Sequence, residues 1–306
     1  MITHPIRGLV AATHTPFHSD GSLNLAVVEK QAAHLTASGV NTVFIGGTTG
    51  ESHSLSLEER LALTSRWMEV SKGSQLKVVV HVGANCLGDV CALAAQAQQL
   101  GADAISALAP SYFKPRSVAS LIDCCAQVTA AAPGTPFFLY DIPSFTGISL
   151  SMPDFLTHGM ERLPSLAGIK FTNPDAMMFQ QCLNHSNGAF SVLWGTDECL
   201  LAGLALGATG AVGSSYNFAA PLYRRVIAAF TNNDLATARR EQMRSVELIA
   251  TLAPLGYMGA AKAVMKMLGV DVGPARLPHG NLDAAQTKKL QSDLEHLGFF
   301  DWVAVS

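Results

Sequence analysis

The stretch Ser165-Leu-Ala-Gly-Ile-Lys-Phe171 is an apolar run closed by a lysine, and its reading as a strand buried on both faces decides the architecture. Near-continuous hydrophobicity, without apolar and polar residues alternating, marks a strand covered on both sides, as in a parallel sheet. Similar runs lie at 8–16, 40–46, 77–83, 102–109, 136–143, 190–195 and 208–213, which with 166–171 makes eight. Most are separated by stretches such as 24–38, 57–71, 87–100 and 117–131, whose spacing predicts amphipathic helices. Eight alternating β and α units match a closed (β/α)8 TIM barrel better than an open sheet.

Beyond 208–213 the pattern is wholly helical, with segments at 219–230, 234–252, 259–268 and 284–297. The expected organisation is an α/β barrel core over 1–218 and a C-terminal helical extension over 219–306, about 80 residues by subtraction from the usual barrel size. No low-complexity linker divides the two, so the extension is expected to pack on the barrel as one structural unit.

A hydrophobic content of 49% over 306 residues can build one large core. The formal charge of -3, the 14% of charged residues and the absence of a basic block leave no electrostatic footprint for nucleic acid or an acidic membrane surface. A small-molecule partner is expected. The weakly apolar stretch 199–213 is Gly-rich and shorter than the roughly 20 residues of a membrane helix. Cys86, Cys91, Cys124, Cys125, Cys182 and Cys199 are dispersed without a CxxC pair, which reads as mostly buried thiols and not a disulfide framework. The first residues carry only a short apolar stretch, Gly8-Leu-Val-Ala-Ala12, a poor secretory signal. A cytoplasmic location is expected.

In this fold active sites gather at the C-terminal ends of the strands and in the loops that follow. Three motifs fall there: Gly46-Gly-Thr-Thr-Gly-Glu51, Tyr140-Asp-Ile-Pro-Ser-Phe-Thr-Gly147 and Gly168-Ile-Lys-Phe-Thr172. An unperturbed lysine, with pKa about 10.4, is neutral in only roughly one molecule in a few thousand at pH 7. Held among apolar neighbours, Lys170 would lose hydration of its ammonium, which lowers the pKa and frees the amine for Schiff-base chemistry. The commoner arrangement for a lysine is a packed stem with its head in water. Tyr140 reads either as a core aromatic or, beside such a lysine, as a carrier of protons.

The glycine turn at 46–51 lacks both the GxGxxG spacing and the GK[ST] ending of nucleotide loops. It is a tight βα turn or, with its exposed N–H groups and the hydroxyls of Thr48 and Thr49, a nest for a carboxylate. Glu51 is expected to cap or brace it. Gly195-Thr-Asp-Glu198 reads as a helix N-cap, or as a pair of carboxylates, Asp197 and Glu198, accepting hydrogen bonds from a sugar's hydroxyls with Ser214 beside them. His14 and His18 are separated by Pro16 and no HExxH or cysteine cluster occurs, so no metal is expected. His53 and His81 read as structural. The stretch Arg239-Arg-Glu-Gln-Met-Arg244 reads as a solvated or intersubunit helix face.

Through GGTTGES, YDIPSFTG, GIKFTNPD, WGTDECLLAGLALGATGAVGSSYN and VGPARLP, essentially the whole chain resembles the pyruvate-dependent class I aldolases that include dihydrodipicolinate synthase and N-acetylneuraminate lyase, the lyase group most of all. The resemblance implies that Lys170 forms an imine, Tyr140 transfers protons, and Thr48 and Thr49 hold the pyruvoyl carboxylate. It implies a sugar tail bound by Thr172, Gly195, Asp197, Glu198 and Ser214. Tyr112, in Ala109-Pro-Ser-Tyr-Phe113, matches a tyrosine that reaches a neighbour's site across a tight dimer, which implies a homotetramer built as a dimer of dimers. The implied reaction is reversible cleavage of N-acetylneuraminate to pyruvate and N-acetylmannosamine, with no metal or organic cofactor. Phe145 stands where the synthases carry an arginine for a second carboxylate, which argues against a synthase; the lyases usually carry a small or aliphatic residue there. Asp141 replaces a common Asn or His. The rivals are an aldolase or dehydratase for another 2-keto sugar acid, such as 2-keto-3-deoxygluconate, and a non-catalytic 2-keto acid binding protein.

Overall fold

The computed structural model describes residues 5–304. Eight strands, β1 (Gly8–Ala12), β2 (Thr42–Ile45), β3 (Lys77–His81), β4 (Ala104–Leu108), β5 (Phe137–Asp141), β6 (Leu166–Phe171), β7 (Ser191–Trp194) and β8 (Gly210–Gly213), pair in sequence order and close into a barrel. Every pairing is parallel, including β1 with β8. Each expected run contains one strand, and β6 matches its run to the residue. Several runs extend past their strands. β1 ends at Ala12, although the Thr13 N–H still donates to the Phe44 carbonyl oxygen at 3.1 Å.

The helices are α1 (Val28–Ala37), α2 (Leu57–Ser71), α3 (Leu87–Gln99), α4 (Val118–Ala131), α5 (Pro143–Thr146), α6 (Met152–Arg162), α7 (Ala176–Asn184), α8 (Leu200–Ala205), α9 (Tyr216–Thr231), α10 (Leu235–Leu252), α11 (Tyr257–Met267), α12 (Ala284–Leu297) and α13 (Phe299–Val303). Local chemistry sets their starts. Ser56 caps α2 by accepting from the Glu59 N–H, while the Glu59 carboxylate accepts from the Ser56 N–H, satisfying two otherwise orphaned donors. Pro143, at the end of an expected strand, instead opens the short α5, where its missing N–H costs nothing.

Two apolar layers result. Val10, Phe44, Val79, Leu108, Phe138, Tyr140 and Leu193 fill the barrel interior. The outward strand faces pack on the helices, as where Phe179 of α7 stacks between Phe171 of β6 and Trp194 of β7 at 5.3 and 4.9 Å. Helix α9 begins at Tyr216, directly after β8, and packs on β1 and α10. Among the described residues no single helix is long and apolar enough to cross a membrane.

Two local expectations are corrected. All six cysteines are free, but only Cys125 and Cys182 are buried; Cys86 and Cys199 are exposed, each preceding a helix at its N-cap position. The stretch 239–244 is not simply solvated. Glu241 is 4% exposed and accepts from Arg225 Nε and Arg244 Nη1, both at 2.8 Å, so the arginines fold back over a buried carboxylate.

Candidate active site

Lys170 and Tyr140 are direct register partners on β6 and β5. Both side chains point into the barrel near its C-terminal mouth, and both are buried. Lys170 Nζ stands 3.4 Å from the centroid of the Tyr140 ring and 4.7 Å from that of Phe44. Burial lowers the lysine's pKa from its ordinary value; the nearby Tyr140 oxygen and Asp197 oppose the shift. The aromatic faces attract the ammonium that water no longer solvates. His81 packs edge-on to Tyr140 and directs Nδ1 to the Gly46 carbonyl oxygen at 2.9 Å; burial holds it well below its usual pKa, a structural neutral imidazole. His14 is likewise buried, with its pKa pushed down to about 3, while His18 is exposed.

The Tyr140 hydroxyl lies 3.2 Å from Thr48 Oγ1. Thr48 and Thr49 sit in the turn after β2, which closes through Glu51 N–H to the Thr48 carbonyl oxygen at 3.0 Å. Gly46, at φ 62°, provides the left-handed backbone that folds this turn over the barrel mouth. Glu51 braces it, as expected: its buried carboxylate lies 2.7 Å from Lys262 Nζ and accepts from the Arg276 N–H at 2.7 Å.

Across the mouth, Asp197 is buried just after β7. Its Oδ2 accepts from the Ser215 N–H at 2.8 Å and Ser215 Oγ at 2.6 Å, and burial pushes its pKa up to about 6 against these hydrogen bonds. Two glycines make room here. A Cβ on Gly213 would overlap the Asp197 carboxylate, and one on Gly195 would overlap Thr172 Oγ1, a buried hydroxyl that has no protein partner among the described residues. Ser214 Oγ lies 2.8 Å from Tyr257 Oη at the start of α11. Asp141, turned away on β5, accepts from Asn173 Nδ2 at 2.9 Å; burial pushes its pKa to about 6.

A cavity of about 330 Å³ opens among these groups. It brings together Thr48, Thr49, Tyr140, Lys170, Thr172, Gly195, Asp197 and Ser214. Glu198 is half-buried outside the lining, and Tyr112 is 78% exposed, stacked edge-on against the equally open Phe113. Phe145 stands at the rim, 70% exposed. Tyr257, Met258 and His279 also line the cavity, although motif reading assigns them no role. The only hint of them is their nearness to Gly256 and to the VGPARLP stretch.

A parallel (β/α)8 barrel here buries an amine on β6 beside a phenol on β5, with the hydroxyls of a glycine-rich turn lining the same cavity. The model of the dihydrodipicolinate synthetase family matches residues 5–297, and the chain belongs to that family. It is 38% identical to N-acetylneuraminate lyase of Rattus norvegicus, over 97% of this chain and 94% of that protein. The structure of Proteus mirabilis N-acetylneuraminate lyase superposes with a TM-score of 0.94 at 38% identity, covering 97% of this chain and all of the other. That of the Aliivibrio salmonicida sialic acid aldolase gives 0.94 at 37% identity, over 97% and 98%. The family resemblance read from the motifs is borne out.

Proposed function

We propose that the chain is a carbon–carbon lyase, a class I aldolase that reversibly cleaves N-acetylneuraminate to pyruvate and N-acetylmannosamine. The observation that carries this reading is the buried Lys170 amine 3.4 Å over the Tyr140 ring, in a chain whose relatives over nearly its full length are N-acetylneuraminate lyases. Lys170 attacks the keto carbon of the open-chain sugar acid and water leaves. The protonated imine is then an electron sink, so the bond between the carbons α and β to it breaks once the β-hydroxyl loses its proton to Tyr140 or to the Tyr140–Thr48 relay. Protonation of the resulting enamine and hydrolysis release pyruvate and free Lys170. The iminium supplies the electrophilic charge that a metal ion would otherwise supply, so the reading needs no metal or organic cofactor.

Thr48 and Thr49 hold the carboxylate, and Thr172, Gly195, Asp197, Glu198 and Ser214 hold the polyol tail. Phe145 supports a lyase over a synthase, because an aromatic ring at the rim gives a second carboxylate nothing to pair with. The barrel core, 1–218, and the C-terminal helices, 219–306, act as one unit, which the placement of Tyr257 and His279 on the cavity supports. The exposed Tyr112 and Phe113 suit a tight-dimer contact within a homotetramer, Tyr112 reaching the neighbour's site. Free thiols support a cytoplasmic location. The test is borohydride reduction in the presence of pyruvate: a stable adduct on Lys170, together with loss of cleavage in Lys170→Ala, is expected. Near wild-type cleavage by that variant contradicts the reading.

A further inference from the structure

Lys262 is a second lysine withdrawn from water, 2% exposed on α11 among Met258, Ala261 and Met265. Its ammonium has three close oxygen neighbours. Nζ donates to the Thr15 carbonyl oxygen and the Pro274 carbonyl oxygen, each at 2.9 Å, and lies 2.7 Å from Glu51 Oε1. Neither Lys262 nor Glu51 lines the cavity. Two apolar residues would fill this space without removing charges from water, so the ion pair is no simple source of stability.

Its connections point to another role. Glu51 adopts φ 54°, a left-handed conformation uncommon for a non-glycine residue and kept only where the surroundings enforce it. The Glu51 N–H closes the turn on the Thr48 carbonyl oxygen, so the backbone of Glu51 fixes that of Thr48. The preceding residue is held as well: Thr15 Oγ1 donates to the Gly50 carbonyl oxygen at 2.6 Å, and Thr15 is itself held by Lys262. One ammonium thus grips the turn directly at Glu51 and, through Thr15, at Gly50. The second Glu51 oxygen binds the Arg276 N–H, on the segment that carries His279 to the cavity.

We propose that Lys262 and Glu51 are the positioning pair of the carboxylate turn: they hold Thr48 and Thr49 in register with Lys170 and Tyr140 without touching substrate. This rests on the Schiff-base reading. Retention of the 2-keto carboxylate then depends on an ion pair outside the cavity, whereas recognition of the aldehyde partner on the Asp197 side does not.

The experiment measures condensation of pyruvate with N-acetylmannosamine, varying each separately. Lys262→Met alone would strand the Glu51 charge and risk unfolding, so the variants are the neutralised pair Glu51→Gln/Lys262→Met and the near-isosteric Thr15→Val, which removes only the bond to Gly50. Expected is a rise of about tenfold in KM for pyruvate in the neutralised pair and a smaller rise in Thr15→Val, with KM for N-acetylmannosamine held within about twofold in both. A general loosening would move both constants together, and that result, or an unchanged KM for pyruvate, overturns the proposal. Borohydride trapping separates the two levels. Wild-type protein that takes no pyruvate adduct refutes the Schiff-base reading; variants trapped at the wild-type pyruvate concentration refute the positioning pair alone.

Discussion

Tyr140 and Lys170 face each other across the β5–β6 ladder, and the amine stands 3.4 Å from the centroid of the phenol ring. The ring helps to replace the ammonium's lost water, while the hydroxyl meets Thr48 Oγ1 at 3.2 Å. The two functions of Tyr140 should be separable. Tyr140→Phe keeps the ring, so pyruvate should still be trapped on Lys170, while kcat for cleavage falls by about 10²–10⁴ as proton transfer is lost. A kcat within about tenfold of wild type would show that the proton travels by another group.

Gly195→Ala tests the opposite wall. Its Cβ would overlap Thr172 Oγ1 and stand 2.9 Å from the Phe171 carbonyl oxygen, so Thr172 must move. The expected result is a KM for the sugar acid raised about tenfold and a stability loss of about 1–3 kcal/mol in urea unfolding, with pyruvate trapping unaffected. Lost stability with a wild-type KM would remove Thr172 from the substrate's contacts.

The structure gives Asp197 a signed pH dependence. Its pKa is raised from 3.8 to about 6, chiefly by burial, so the folded protein binds this proton more tightly than the unfolded chain. That contribution to stability is complete below the unfolded value and is lost as pH rises through about 6. Asp197→Asn removes the titration. Relative to wild type it should therefore gain stability between about pH 4 and pH 7, by up to about 3 kcal/mol, while kcat/KM for the sugar acid drops. Urea unfolding across that range checks it; a difference flat with pH would mean that Asp197 ionises normally.

The barrel was legible because its strands are covered on both faces and so appear as uninterrupted apolar runs, Leu166–Phe171 most cleanly. Lys170 and Tyr140 were legible as polar groups near the C-terminal ends of two such runs. Run ends were less clear: Pro143 continues an apolar stretch in sequence yet starts α5, since composition does not record where a ladder stops. Tyr257 and His279 escaped motif reading because they reach the cavity only through the docking of α11 and the following loop, a contact between segments distant in sequence. Glu51 could be read as a brace, but not what it braces against. The available signal was Lys262 itself, a charge set among the apolar residues of Tyr257–Met267.

The most direct measurement is pyruvate release by the wild-type chain from N-acetylneuraminate and from 2-keto-3-deoxygluconate, compared as kcat/KM in one assay. Lys170, Tyr140 and the Thr48–Thr49 nest would serve either substrate; the Asp197 side of the cavity and the Phe145 rim distinguish them. Release from N-acetylneuraminate should proceed with a kcat/KM at least about tenfold higher, a difference of about 1.4 kcal/mol in transition-state binding. No release from N-acetylneuraminate, or a preference for 2-keto-3-deoxygluconate, would contradict it.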